Sequence, residues 1–209
     1  MRMEQIRLGD NFAYLVVDEE SAACAVVDPS GGASRIAGRI EGAGASLAFI
    51  FLTHGHFDHV GGIDDLKHRA GRDAPVIAHP ENPAGPEIGA VHEQVITMGR
   101  ISFTVHYTPG HTPDGICIVA EDDSASDDYL FTGDTLFVRE CGRTDLAGSD
   151  PSAMYDSFNL IKGLDGRLIV CPGHDYGPTP TSTLASEKGE NYTLEDRTRE
   201  DFIRFMREP

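Results

Sequence analysis

The stretch LTHGHFDHVGG, residues 52–62, places three histidines and an aspartate within six positions, between an apolar run and a glycine pair. These side chains, His54, His56, Asp58 and His59, are of the types that bind divalent metal ions. A chance match to H-x-H-x-D-H is expected on the order of once in a thousand chains of this composition. The stretch therefore predicts a metal site.

Strand-like apolar segments lead into this stretch and into three further side chains of the same kind. FIFLT runs into His54, FTVHYTPG into His111, YLFTG into Asp134, and LIVCPG into His174. In layered α/β folds the carboxyl ends of the strands gather along one edge, where their loops converge. We therefore expect all seven side chains to form one cluster.

The spacing of these side chains favours two metal ions over one, because a tight loop cannot turn four neighbouring side chains toward one small ion without strain. One ion is assigned His54, His56 and His111, the other Asp58, His59 and His174, and the carboxylate of Asp134 bridges both. Histidine and carboxylate ligands without thiolates suit Zn, Fe or Mn. The predicted cofactors are two divalent ions, with Zn first, and an open position for water marks a catalytic site.

The remaining segments predict the fold class. Strands are expected at 12–17, 22–30, 46–54 and again in ISFTVHY, GICIVAEDD, DYLFTGD and RLIVCPG, with helices from Ala33 to about Glu41, in GIDDLKHRAG and in SAMYDSFNLI. The β-rich and helical segments occur in two successive sets, which predicts an α/β fold of two similar halves, their sheets face to face and helices outside. Residues 1–209 are predicted to be a single domain, with a short C-terminal segment, about 178–209, docked on it.

Composition narrows the partners and the compartment. A formal charge of −17, from 34 acidic against 17 basic residues, disfavours binding to nucleic acid or to an anionic membrane. No secretory core or apolar run of about 20 residues is present, so a soluble cytoplasmic protein is expected. The four cysteines lack metal or disulfide spacing and are expected to be reduced. The sequence leaves the oligomeric state open, and a homodimer is one option.

Five segments together resemble a known family: THGHFDHVGG, TPGHTPDG, FTGDTLF, CGRTDLAG and PGHDYG, over residues 53–177. They are similar to the ordered motifs of the metallo-β-lactamase superfamily, in its glyoxalase II-like branch. The resemblance implies a four-layer αββα sandwich and the same division of the seven metal ligands. Asp134 and His59 argue against the lactamase branches that carry a cysteine ligand or an arginine at those positions.

The resemblance implies a metal-dependent hydrolase that cleaves thioesters of glutathione or a similar small thiol by a metal-bridging hydroxide. Asp58 would touch that water and is the candidate catalytic residue. Arg143 and Tyr176 are the candidate substrate-binding residues; the alternatives are an ion pair of Arg143 with Asp145 or Asp134, and a core position for Tyr176. Cys141 is predicted to be packed, since no base stands beside it.

Two departures keep a second function open. Glyoxalase II has a sizeable helical C-terminal extension that helps to hold glutathione, whereas only some 35 residues (209 minus 174) follow His174 here. CGRTD and HDY also resemble the persulfide dioxygenases, in which one Fe(II) is held by the residues that match His54, His111 and Asp134. The alternative is thus a mononuclear non-haem iron persulfide dioxygenase. A non-enzymatic metal-binding protein and a nuclease are more distant readings, the nuclease because the chain is acidic.

Overall fold

Two six-stranded sheets form the centre of the protein in a computed structural model that describes residues 1–207. The first sheet contains, in spatial order, β1 (Arg2–Leu8), β2 (Asn11–Asp18), β3 (Ala23–Val27), β4 (Ser46–Phe51), β5 (Val76–Ala78) and β6 (Ile88–Gly89). The second begins with β7 (Val95–Met98), β8 (Ile101–Tyr107), β9 (Ile116–Glu121) and β10 (Tyr129–Gly133). After a small hairpin, β11 (Leu136–Phe137) and β12 (Glu140–Cys141), the chain returns to this sheet as β13 (Ile169–Pro172) and β14 (Ser182–Thr183). The spatial order of the second sheet is β14-β13-β10-β9-β8-β7.

Helices cover the outer face of each sheet. They are α1 (Ala33–Gly42), α2 (Phe57–Val60), α3 (Ile63–Ala70), α4 (Pro151–Gly163), α5 (Leu184–Glu190) and α6 (Arg199–Arg207), with a 3₁₀ turn at Tyr192–Leu194. None of the helices within residues 1–207 is long and apolar enough to cross a membrane.

Three apolar cores join the four layers. Phe51 and Phe103 stack between the two sheets, with ring centroids 4.7 Å apart, and both are fully buried. Ile36 and Leu66 pack α1 and α3 against the first sheet, and Phe158 belongs to the core that joins α4 and α6 to the second. The predicted αββα sandwich is therefore confirmed.

Strand direction explains why the ligand-type residues meet. β3, β4 and β5 run parallel to one another, and β10 runs parallel to β13. β8 and β10 are both antiparallel to β9, so they point the same way. The carboxyl ends of each parallel set therefore lie along one edge of their sheet, and the loops that follow them converge.

Several elements differ from the expectation. Strand β4 ends at Phe51, so residues 52–54 already belong to the loop. Residues 122–128 join two antiparallel strands, and the carboxylate of Asp122 is buried and accepts hydrogen bonds from the backbone and hydroxyl of Ser124. The C-terminal segment packs on the second sheet through Phe202, while residues 208 and 209 of that predicted segment lie outside the described residues.

Candidate metal centre

The seven predicted side chains lie together at the edge where the strands end. Three groups have ligand atoms that all fall within 4.8 Å of one another: His54 with His56 and His111, Asp58 with His59 and His174, and His54 with His59 and Asp134. The first two groups match the division that the spacing predicts. The third group links them.

The first group is formed by nitrogen atoms that face each other. The Nε2 atom of His111 lies 3.1 Å from Nδ1 of His56. The Nε2 atom of His54 is buried and has no hydrogen-bond partner among residues 1–207. A buried ring nitrogen without a partner is costly unless something else occupies its lone pair.

The second group contains the one carboxylate of the cluster that solvent readily reaches. His59 and His174 face each other with their Nε2 atoms 3.3 Å apart, and Nε2 of His174 lies 3.3 Å from Oδ2 of Asp58. The side chain of Asp58 is 51% exposed, whereas that of His59 is 1% exposed. The amide of Asn11 donates to Oδ2 of Asp58 at 3.0 Å and so fixes the carboxylate.

Asp134 stands between the two groups. Its Oδ2 atom lies 3.6 Å from Nε2 of His111 and 3.3 Å from Nε2 of His174. Its Oδ1 atom is buried, 3.2 Å from Nε2 of His59, yet it makes no hydrogen bond within the described residues. This placement allows the carboxylate to bridge two cations, as the sequence predicts.

A buried carboxylate outside the predicted set, Asp28, orients one histidine of each group. Its Oδ2 atom lies 3.0 Å from Nδ1 of His59 and accepts a hydrogen bond of 2.6 Å from the hydroxyl of Thr53. Because that hydroxyl proton points to Asp28, the Thr53 oxygen, 3.1 Å from Nδ1 of His54, is left to accept from that ring. Both rings therefore carry a proton on Nδ1, so that Nε2 is the atom that each neutral ring offers to a metal ion.

The backbone also orients a ligand ring and approaches the cluster closely at two glycines. Nδ1 of His111 donates to the backbone carbonyl of Arg143 at 2.8 Å, which leaves Nε2 of His111 as the acceptor. Two glycines allow the backbone to approach this closely. A side chain at Gly142 would collide with the carbonyl of Asp134, and a Cβ at Gly173 would lie 2.7 Å from the ring of His59.

The electrostatics divide the histidines into two kinds. Burial, assisted by neighbouring imidazoles, lowers the pKa of His54, and burial also lowers that of His111. Burial opposes protonation of His59 too, but Asp134 and Asp28 hold its pKa well above the usual value. For His174, burial is again outweighed, and hydrogen bonds to Asp134 and Asp58 raise the pKa to about 9.

These features fit divalent cations. The neutral rings of His54 and His111 and the carboxylates of Asp58 and Asp134 leave positive charge as the missing partner. In the metal-free protein, protons on His59 and His174 supply part of that charge. The chain therefore carries a site for divalent metal, built from imidazole and carboxylate groups.

The remaining candidates lie at the rim. The guanidinium of Arg143 is 64% exposed and pairs with Asp145, with one hydrogen bond of 2.7 Å, as one alternative proposed. Tyr176 is 58% exposed, so a core position is wrong; its ring stacks on that of His174, with centroids 4.7 Å apart. Cys141 is packed against Met206, and burial raises the pKa of its thiol to about 12, as expected for a cysteine that is not a nucleophile.

Sequence reasoning missed Asp28, Thr53 and Asn11. A signal existed for Asp28, which follows the strand-like segment AACAVV as directly as Asp134 follows YLFTG. Its backbone adopts a left-handed conformation, φ 49°, which asparagine and aspartate tolerate best among residues other than glycine. The role of the Arg143 carbonyl has no side-chain signature in the sequence.

Comparisons with known proteins agree on one superfamily. A family model described as "Metallo-beta-lactamase superfamily" matches residues 6–174. A hydroxyacylglutathione hydrolase of Bradyrhizobium sp. is 35% identical over 196 residues, which cover 92% of this chain and 73% of the relative. A probable polyketide biosynthesis zinc-dependent hydrolase, PksB of Bacillus subtilis, is 30% identical over 200 residues, covering 93% of this chain and 86% of that protein. The crystal structure of ETHE1 from Myxococcus xanthus superposes with a TM-score of 0.89 at 30% identity, over 100% of this chain and 92% of that chain.

Proposed function

Because the chain belongs to the metallo-β-lactamase superfamily and is a metal-dependent hydrolase of the glyoxalase II-like kind, we propose that it cleaves thioesters of glutathione or a similar small thiol. The observation that carries this proposal is the pair of complete ligand groups on either side of Asp134. We assign His54, His56 and His111 to one cation and Asp58, His59 and His174 to the other, with Asp134 shared and Zn as the first choice of metal. Two such cations supply an activated water and stabilise the negative charge that develops on a carbonyl oxygen.

The residues of the chain supply orientation and proton transfer. A hydrogen bond with His174, aided by Asn11, holds the pKa of Asp58 well below its usual range, so this carboxylate is ionised at neutral pH. Since solvent reaches its side chain, Asp58 can orient the attacking water and accept its proton. A thiolate leaving group has a pKa near 9 and departs with little acid assistance, which suits a site where we identify no spare general acid.

Two side chains at the rim of the cluster, those of Tyr176 and Arg143, are the candidates for binding the thiol part of the substrate. Tyr176 presents an exposed aromatic face beside His174, and Arg143 orients His111 through its own backbone carbonyl. Both remain substrate-binding candidates. To bind a substrate carboxylate, the Arg143 guanidinium must break its ion pair with Asp145 or contact both carboxylates at once. The relatives named for glutathione thioesters make glutathione the first thiol to test.

A second candidate is the persulfide dioxygenase that CGRTD and HDY resemble, favoured by the match to ETHE1 over the whole chain. That chemistry would use one Fe(II) on His54, His111 and Asp134. It leaves the compact group of Asp58, His59 and His174 without a metal. We therefore place hydrolysis first.

A paired assay tests the proposal. The metal-loaded protein is given S-lactoylglutathione while thioester loss is followed, and glutathione persulfide while oxygen consumption is followed. We expect thioester cleavage without oxygen uptake, and Asp58→Asn should slow it at least tenfold, whereas Asp64→Asn, in the first turn of α3, should not. Oxygen uptake with an untouched thioester would overturn the proposal, and turnover of coenzyme A esters in preference to glutathione esters would overturn the choice of glutathione.

A further inference from the structure

We propose that Glu187 and Asn191, in the C-terminal segment, are positioning residues for the metal centre. They fix the β11–β12 hairpin, and the hairpin holds His174 and His111 in place. The inference rests on the proposed metal binding by these two histidines. It gives the segment after His174 a role at the site, separate from any contact with the thiol.

Glu187 is a fully buried carboxylate in α5, which is costly unless its oxygens are well paired. It forms an ion pair with the guanidinium of Arg139 and accepts a hydrogen bond of 2.8 Å from the backbone N–H of the same residue. The amide of Asn191 donates to it at 3.0 Å. A carboxylate with these partners holds a fixed place between α5 and the turn of the hairpin.

Arg139 needs that support, because it occupies the hairpin turn with φ 63°. This left-handed conformation is unfavourable for a residue with a Cβ. Glu187 binds both ends of Arg139, the backbone N–H and the guanidinium, and so stabilises the turn. Asn191 adds bonds to both strands, donating to the carbonyls of Phe137 and Glu140 at 3.2 Å each.

At one end the hairpin packs against His174. The ring of Phe137 stands edge-on to His174 and to Tyr176, with centroids 5.9 and 5.1 Å away. His174 differs from His54, His59 and His111 because its buried Nδ1 has no hydrogen-bond partner among residues 1–207. On the side of the ring away from Asp58 and Asp134, its orientation therefore depends on the packing of Phe137 and Tyr176.

At the other end the hairpin leads directly into the contacts of the first group. Cys141 is followed by Gly142, against the backbone of Asp134, and by Arg143, whose carbonyl orients His111. The hairpin thus contacts His174 directly and is joined, through Gly142, to the residue that orients His111. Because outer partners of metal ligands are worth about 10–100-fold in affinity, loosening the hairpin should weaken metal binding.

The test compares Glu187→Gln with Glu190→Gln. Glu190 also accepts from the Arg139 guanidinium, at 2.7 Å, but its side chain is 64% exposed, so it is a matched control. Zinc affinity of the metal-free full chain is measured by competition with a chromophoric chelator, at a temperature where circular dichroism shows each variant to be folded. We expect at least one of the two zinc ions to bind about tenfold or more weakly in E187Q, with wild-type affinities in E190Q.

If E187Q does not fold, Arg139→Lys replaces it, since lysine keeps the charge beside Glu187 but loses the fork. It too should weaken zinc binding relative to E190Q. Folded E187Q or R139K with wild-type affinity for both ions overturns the proposal, as does an equal loss in E190Q. No thioester enters this measurement, so normal zinc binding with no hydrolysis would count against the proposed function alone.

Discussion

Replacing Asp28 by asparagine should weaken metal binding in both groups at once. The residue is 2% exposed, and its carboxylate accepts three hydrogen bonds: from the N–H of Thr53 at 2.8 Å, the hydroxyl of Thr53 at 2.6 Å and Nδ1 of His59 at 3.0 Å. Asparagine keeps the shape and tolerates the left-handed backbone at this position. The change therefore isolates the carboxylate.

The expected effect follows from the proton positions. An amide N–H₂ facing His59 would make Nδ1 the acceptor, so the ring would carry its proton on Nε2 and lose the lone pair that faces the cluster. The Thr53 hydroxyl would no longer be directed by a charge, and His54 would lose its fixed tautomer as well. Disrupted outer partners typically lower metal affinity 10–100-fold, or about 1.4–2.8 kcal/mol. Exchanging three charge-assisted bonds for neutral ones should also cost about 2–3 kcal/mol of folding stability.

The assay is chelator competition with zinc on D28N, beside urea unfolding of the metal-free chain. Asp18→Asn is the matched control, because Asp18 is equally buried and accepts from the hydroxyl of Ser21 at 2.6 Å. It lies at the opposite end of β2 from Asn11, about 23 Å along the strand. D18N should lose stability and keep its zinc affinity. A D28N variant that unfolds more easily than wild type yet binds both zinc ions as tightly would contradict this role of Asp28.

Three further predictions concern the same centre. Hydrogen bonds with Asp134 and Asp58 outweigh burial and raise the pKa of His174 to about 9 in the metal-free chain, so zinc binding must displace a proton from this ring. The zinc affinity should therefore fall as the pH is lowered from about 9 toward 6. Titration calorimetry in buffers of different ionisation enthalpy should show that protons are released when zinc binds. A pH-independent affinity would contradict this. Gly173→Ala should abolish tight zinc binding, because the added Cβ would lie 2.7 Å from the His59 ring. The control is Gly38→Ala in α1, where an added Cβ meets nothing within 4 Å. This variant should bind zinc normally and gain about 0.5–1 kcal/mol of folding stability. Cys141→Ser should retain the hydrolysis rate of the wild type. The Cys141 thiol of the wild type should resist alkylation at pH 8, since burial raises the pKa of this thiol to about 12. Rapid alkylation of Cys141 with loss of activity would refute this prediction.

The sequence predicts the ligand cluster well because His54, His111, Asp134 and His174 each come just past an apolar segment, and the other three members follow His54 within five residues. His54 comes just past a strand of the first sheet, and Asp134 and His174 come just past strands of the second; strand direction brings the ends within each sheet to one edge. Asp28 is equally close to a strand end, but its contact with His59 depends on a loop conformation that no residue pattern indicates. The contact of His111 with the carbonyl of Arg143 could not be predicted from residue types, because it is made by the backbone.

The missed elements have physical reasons as well. Of the side chains of β1, only Ile6 is fully buried, so charged residues conceal its strand pattern. Helix α5 is anchored by Leu184 and by the buried ion pair of Glu187, and it therefore lacks the apolar period that identifies α4. In both cases stability comes from tertiary contacts that the local sequence does not display.

We propose that two groups of residues around Asp134 hold two cations that act together in thioester hydrolysis. The most direct measurement is the rate of S-lactoylglutathione hydrolysis as metal-free protein is titrated with zinc, with bound metal counted at each point. We predict that the rate rises until two zinc ions are bound per chain and then remains constant. A hydrolysis rate that reaches its maximum with one zinc ion bound per chain, or hydrolysis that persists after all metal is chelated, would contradict joint action of two cations.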